Sequence, residues 1–377
     1  MPRFYPVFAN FFKGKDVSKY LSPPYDVIDE DERKALEKKS PSNVVRLILP
    51  QSYQEVRDLF LMWIRKGIIY SYPESGYFYL EADVEDPIYG ESKLKGIFGR
   101  MKVEKFGKGI FPHEKTFSGP KKDRYELMRN SGVAFSHVVG IYDGPEFDEV
   151  LKEESLSEAV EVFRFSSAGM KGKVYFLGIS RKIYEAVLSS RVLIADGHHR
   201  YETFLALSRD FPHIPEFSYA NFFLTSKRGG LNLHPTHRAG KTSKLDKIEK
   251  ILSAKFHIEK LPGEKAMSMS LQENEFVLIV REGAYLLRYR GDFSGVPTQI
   301  SDPYIMTPLK AESVCYSPFF DKLFTAVLEG KVDFALRIPE FSIERIFEQV
   351  EKGKRLPQKT TYFFPKIPSG LLMYRFF

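Results

Sequence analysis

The sequence predicts a mixed α/β class, whether α/β or α+β in layout. Helical periodicity, with apolar residues at i, i+3, i+4 and i+7, alternates along it with short aromatic and β-branched runs. Its composition, 43% apolar, 15% aromatic and 28% charged, is that of a globular protein. A shift of composition near residue 240 divides its 377 residues in two, in keeping with about 150 residues per domain. The expected domains are therefore 1–240 and 241–377.

Val56, Leu59, Phe60, Trp63 and Ile64 share one helical face, and Gly67 follows as a stop, so a helix is expected from Tyr53 to Lys66. Strands follow at Tyr77–Ala82, Gly96–Val103 and Phe135–Tyr142, the last two separated by a polar, glycine-bearing loop that starts a helix near Asp123. Leu156–Val162 reads as a short helix, Val174–Ile179 as a strand and Ile183–Leu188 as a helix. Arg191–Ala195 is a buried strand, Asp196-Gly197 a turn, and Tyr201, Phe204 and Leu205 continue as a helix. Tyr219–Thr225 returns as a strand. Beyond 241 come a helix at Leu245–Lys255, strands at Phe276–Arg281 and Tyr285–Tyr289, a helix at Phe319–Leu328, a strand at Val332–Leu336 and a helix at Ser342–Val350.

The net charge of +7 is spread along the chain, which suits an anionic ligand, expected as a small-molecule substrate, better than a nucleic-acid partner. No run reaches the ~18 apolar residues of a membrane helix, and no secretory signal opens the sequence. One cysteine, Cys315, fits a reducing cytoplasm. Glutamine occurs only six times against abundant Lys and Glu, which points to a heat-adapted source.

Five polar constellations carry candidate chemistry. In ADGHHR, Gly197 permits a positive φ, and the helix that follows presents free N–H groups to an anion. Arg200 adds a fork of donors for phosphate oxygens, and Asp196 is a candidate helix cap or divalent-metal ligand. His198 and His199 are adjacent, diverge by about 100° on a helix, and do not converge on one metal. The plainer reading is an Asp cap followed by surface histidines. In LSPPYDVIDEDE, two prolines stiffen the approach to Asp26, and Asp26 and Glu30 are candidate general bases; a turn into the acidic first turn of a helix explains the same residues. In PHEKTFSGPKKDR, His113, Glu114, Thr116 and Arg124 form a polar loop cluster suited to binding. In LHPTHR, Pro235 denies His234 and His237 a helix for joint metal ligation, leaving His237 and Arg238 as ligand contacts. In PQKTTYFFPK, Lys359 and Lys366 flank an aromatic strand bounded by prolines, which reads as core packing or as an edge strand closing a site. The P-loop, the dinucleotide-binding glycine motif, the hydrolase elbow and the H-E-x-x-H metal motif are all absent.

PPYDVI, HEKT with DR, ADGHHR, PTHR and PQKTTYFFPK, in this order, resemble the bacterial and archaeal family catalogued as domain of unknown function 1015. Separately, the strand–DGHHR–helix segment resembles the phosphate-binding box of the ParB/sulfiredoxin superfamily, above all its free serine kinases. His198 stands where sulfiredoxins have their cysteine and ParB proteins their glutamate, so neither of those activities is implied. The serine-kinase resemblance implies a ParB/sulfiredoxin-like nucleotide-binding core with large insertions, followed by a C-terminal α/β region. It implies Mg²⁺-dependent phosphoryl transfer from ATP or ADP to a small hydroxyl compound. In that reading Gly197, His198, His199 and Arg200 hold phosphates, Asp196 binds Mg²⁺, Asp26 or Glu30 is the base, and His113, Glu114, Arg124, His237 and Arg238 line the acceptor. Two other readings stay open. One is a metal-dependent phosphoester or nucleotide hydrolase using His113, Asp196, His198 and His237, the other a nucleotide-binding regulatory protein without turnover. The C-terminal third is expected to cover the site or to form a homodimer.

Overall fold

The computed structural model describes residues 1–114, 118–151 and 158–377. It confirms a mixed α/β class. The chain folds into two compact units: Met1–Pro112, Thr116–Asn232 and Phe364–Phe377 form the first, His113–Lys115 and Leu233–Phe363 the second. The division therefore falls at Asn232/Leu233 rather than at 240, and residues 364–377 return to the first unit instead of staying with the second.

The first unit is built on a nine-stranded sheet. Its strand order is Ile110–Pro112, Val192–Asp196, Val138–Tyr142, Tyr219–Ser226, Gly90–Lys102, Tyr77–Asp86, Met170–Gly178 and Val160–Ser167, with Phe4–Tyr5 added beside Gly90–Lys102. Pairing is parallel between Val192–Asp196 and Ile110–Pro112, and between Tyr219–Ser226 and Val138–Tyr142; elsewhere it is antiparallel. VVGIY and the VLIA of VLIAD are buried throughout, as strands covered on both faces must be. Helix His198–Asp210 packs on this part of the sheet through Tyr201, Phe204 and Leu207, and against helix Ser118–Ser131. Ser118–Ser131 also packs on helix Tyr53–Arg65, whose Val56, Phe60 and Trp63 are buried as their spacing requires. A second, four-stranded sheet orders Ile69–Ser71, Ala9–Phe12, Met373–Arg375 and Val133–Ala134, and so ties the C-terminal return into this unit.

The second unit is a six-stranded antiparallel sheet ordered Phe256–Leu261, Gly283–Tyr289, Glu275–Val280, Phe334–Arg337, His237–Lys241 and Glu312–Ser317. Its central strand EFVLIV is apolar on both sides. Phe276 and Leu278 join a cluster with Leu252, Ile305 and Leu336, while Val277 and Ile279 join another with Ala266, Leu323 and Val327. The alternation places a core on each face.

Three expectations are corrected. Residues 160–162 belong to a strand, not to a helix at Leu156–Val162, because the segment runs on into Phe163 and Phe165, buried, alternating with Arg164 and Ser166, exposed, a period of two; residues 156 and 157 lie outside the described residues. Leu245–Lys255 is helical only over Leu245–Leu252, starting with a 3₁₀ turn. Strands Phe256–Leu261 and Glu312–Ser317 were not anticipated. Among the described residues no helix is long and apolar enough to cross a membrane.

Candidate functional site

The Val192–Asp196 strand does not end evenly. Ile194 pairs with Gly140 but Asp196 with Val139, so a bulge at Ala195 re-aims the last carboxylate. Gly197 follows at φ 83°, in the left-handed region. A Cβ there would meet the Arg200 guanidinium carbon and Val138 Cα, each at 3.2 Å, so this turn requires glycine twice over. Helix His198–Asp210 begins at once with no side-chain cap, leaving the N–H groups of its first turn without intrahelical acceptors.

Around this helix head, charge is concentrated. Arg200 Nη2 donates to Asp196 Oδ2 at 2.8 Å, Lys366 Nζ donates to Asp196 Oδ1 at 3.0 Å, and Arg200 Nη1 donates to the His137 carbonyl. Burial pushes the Asp196 carboxyl up, but Lys366 and Arg200 outweigh it and hold it well below the usual carboxylate range. Two cations therefore share one carboxylate at the positive end of a helix dipole, an arrangement that favours an additional anion. Beneath it, His137 is 1% exposed, neither ring nitrogen has a hydrogen-bond partner among the described residues, and burial, seconded by Arg200, lowers its pKa to about 3.

The N-terminal motif comes to the same place. Tyr25 and Asp26 form a 3₁₀ turn. The Tyr25 ring lies 4.0 Å beneath the Arg124 guanidinium, and Asp26 lies within electrostatic range of His199. Burial lowers the His199 pKa, against the pull of Glu202, and its Nδ1 has no hydrogen-bond partner among the described residues. Arg124 is buried, donating to Asp123 Oδ2 at 2.6 Å and to the Ile48 carbonyl at 2.9 Å. Tyr53 donates to Asp123 as well, which with burial pushes the phenol up to about 12. Glu30 lies apart: it opens helix Glu30–Lys39, capped by Asp29, and faces Arg33 and Lys34 at 3.8 and 3.9 Å.

The other motifs are placed in the second unit. Glu114 Oε1 accepts from Thr360 N at 3.1 Å, Thr361 N at 3.2 Å and Thr361 Oγ1 at 3.2 Å, while His113 Nε2 meets Thr361 Oγ1 at 2.7 Å. This pair latches the TTYFF segment. Thr116 lies outside the described residues. His237 is buried, its Nδ1 accepting from Ile338 N at 3.0 Å; burial, then Arg337 and Arg238, lower its pKa to about 3. Arg238 is 1% exposed and donates to Asp302 Oδ1 at 3.1 Å.

The family of the chain is shown by its sequence. It belongs to the family described as protein of unknown function (DUF1015), whose profile matches residues 9–310. No curated protein matches this DUF1015 member. Among solved structures it is similar to a conserved hypothetical protein from Pyrococcus furiosus, at 18% identity and a TM-score of 0.39 over 69% of this chain and 90% of that one. A free serine kinase in complex with AMP is similar at 16% identity and a TM-score of 0.40, over 72% of this chain and 97% of that one. SbnI with C-terminal truncation from Staphylococcus aureus is similar at 9% identity and a TM-score of 0.39, over 68% of this chain and 79% of that one.

Among the described residues no three His, Cys, Asp or Glu side chains gather as a metal-ligand group. Both Asp196 oxygens are already occupied by cations. Lys366 and His137 were missed as site residues. The one available signal for Lys366 was a lone cation inside the otherwise apolar, proline-bounded YFFPKIP.

Proposed function

We propose that this DUF1015 protein binds a nucleoside phosphate, ATP or ADP, at the head of helix His198–Asp210 and transfers a phosphoryl group to a small hydroxyl compound, free serine among the candidates. The observation that carries this reading is Asp196 held between Arg200 and Lys366, directly before an uncapped helix begun by a left-handed Gly197.

Phosphoryl transfer asks a protein for charge neutralisation and positioning more than for covalent help. The helix N–H groups, Arg200 and Lys366 supply the first, and His198 and His199 contact the transferring group. The acceptor oxygen attacks the terminal phosphorus, the bond to the nucleotide's bridging oxygen breaks, and Asp26 takes the hydroxyl proton. Asp26 is preferred over Glu30 because it lies beside His199 while Glu30 faces cations of its own helix. Arg124, beside Tyr25 in the same unit, serves the acceptor. With both Asp196 oxygens engaged, Mg²⁺ would be held chiefly by the nucleotide's own phosphates, where it supplies further charge neutralisation.

The test is phosphorus NMR of the full chain with Mg²⁺, ATP or ADP and a pool of hydroxyl metabolites. A new phosphomonoester signal, lost in Arg200→Lys and in Asp26→Asn, is the expected result. Inorganic phosphate alone, or nucleotide that binds no more weakly to Arg200→Lys, would overturn the proposal.

A further inference from the structure

The PTHR motif is not absorbed by the phosphate site, and in the second unit it borders a cavity of its own. It is an open cleft of about 310 Å³, lined by Arg238, Asp302, Met306, Lys310, Val314 and Tyr316 among others. Its wall is a built arrangement. Arg238 is 1% exposed, held by Asp302 through Nε at 3.1 Å and Nη2 at 3.5 Å, and by the Thr236 carbonyl through Nη1. Ser301 Oγ fixes Asp302 Oδ1 at 3.0 Å. The guanidinium lies 5.6 Å from the Tyr316 ring, which is 45% exposed.

Two backbone features single this cavity out. Asp302–Met306 is a π-helical turn, a form that recurs at functional sites. Lys310, on the rim, and Ser313, where strand Glu312–Ser317 shifts register against His237–Lys241, have φ of 48° and 49°, two of the four non-glycine residues with positive φ among the described residues. Such conformations cost energy and persist where the surrounding structure holds them.

The charges decide the ligand. Two cations, Arg238 and Lys310, and one carboxylate, Asp302, line the cleft; Asp302 pairs with Arg238, and Lys310 makes no ion pair among the described residues. One positive charge is left over. The volume is that of about ten waters at ~30 Å³ each, more than a bare ion fills. Met306, Ala311 and Val314 line the rest with apolar surface. We infer that the second unit carries a separate site for a small organic anion, a carboxylate or phosphate head on a short apolar body. The head meets Lys310 and the edge of Arg238, and the body lies on Met306 and Val314.

The experiment uses the full chain with methyl-¹³C methionine. Met306, one of nine methionines, is assigned through Met306→Leu. Butyrate and butyl phosphate are titrated at constant ionic strength, with butanol as the uncharged control. A saturable shift of the Met306 methyl with either anion, weakened about tenfold or more in Lys310→Ala, is the expected result, and which anion acts identifies the head group. Lys310 is exposed, so its replacement leaves the fold intact, as the other methyl signals will report. No saturable shift, equal saturation by butanol, or an unchanged midpoint in Lys310→Ala would overturn the inference.

Discussion

Replacing Lys366 by Met keeps the length of the side chain and removes one of the two cations on Asp196. The lost contact is 3.0 Å long between groups whose side chains are 17% and 20% exposed. At an effective dielectric constant near 20 its Coulomb energy is about 5 kcal/mol, from which desolvation of the ammonium must be subtracted. Asp196 also keeps Arg200 at 2.8 Å. The net loss is therefore expected at about 1–3 kcal/mol, the range of hydrogen bonds to charged groups. In melting temperature that is a fall of about 3–10 °C at pH 7. The pH dependence has a definite sign. A carboxyl depressed in the folded protein stabilises above its unfolded value, near 4, and the benefit is lost as pH falls toward its folded value. The gap between Lys366→Met and the parent should thus be full at pH 7 and narrow below about pH 4. Calorimetry across pH checks this, and titration with ADP should show binding about 10–100-fold weaker. Equal melting temperatures at pH 7 would refute the ion pair, whereas a lowered melting temperature with unchanged ADP affinity would refute its part in phosphate binding.

Gly197→Ala forces a side chain into a left-handed turn against Arg200 and Val138, so stability should drop by about 1–3 kcal/mol and ADP affinity with it, as denaturant unfolding and calorimetry will show. The Tyr53 phenol is neutral in the folded state up to about pH 12, so its bond to Asp123 stabilises fully below pH ~10 and is lost as pH rises toward 12; in Tyr53→Phe the alkaline loss of stability should be smaller, measured by unfolding between pH 9 and 12. His137 and His237 are buried and neutral, with pKa values near 3, so the unfolded chain binds protons that the folded one does not. Below about pH 6.5 stability should therefore fall by about 1.4 kcal/mol per pH unit for each. His137→Phe, which keeps an aromatic ring beside Phe98, should make the acid limb of the stability profile shallower by one proton's slope.

Local chemistry was legible in the sequence, and long-range pairing was not. The turn Asp196-Gly197 and the helix after it follow from one glycine, one apolar run and one periodicity, all within about fifteen residues. Asp26 and Glu30 both read as acidic residues near a helix start after two prolines, and only the fold shows that Asp26 comes within electrostatic range of His199 while Glu30 faces cations of its own helix. Lys366 was read as part of a packed strand because nothing near it in sequence shows its partner. The misread segment at 156–162 shows a related failure: Leu156, Ala159 and Val160 fall at i, i+3 and i+4, as on a helix face, until the alternation at Phe163 and Phe165 is counted with them. His113, Glu114, His237 and Arg238 were recognised as polar residues with work to do, and the fold gives each of them partners within the second unit.

The return of residues 364–377 to the first unit has a consequence for the order of assembly. Asp196 and Lys366 are 170 residues apart in the chain, and Leu233–Phe363, nearly all of the second unit, is synthesised between them. While the ribosome translates that insert, the nascent first unit has the Asp196–Arg200 pair but not the ammonium, and the Ala9–Phe12 strand waits for Met373–Arg375. Contacts of such separation are the slow ones to close. The Asp196–Arg200–Lys366 cluster is thus completed only after Leu233–Phe363 has been made, and a chain stalled within that stretch would carry the DGHHR motif without the lysine that pairs with its carboxylate.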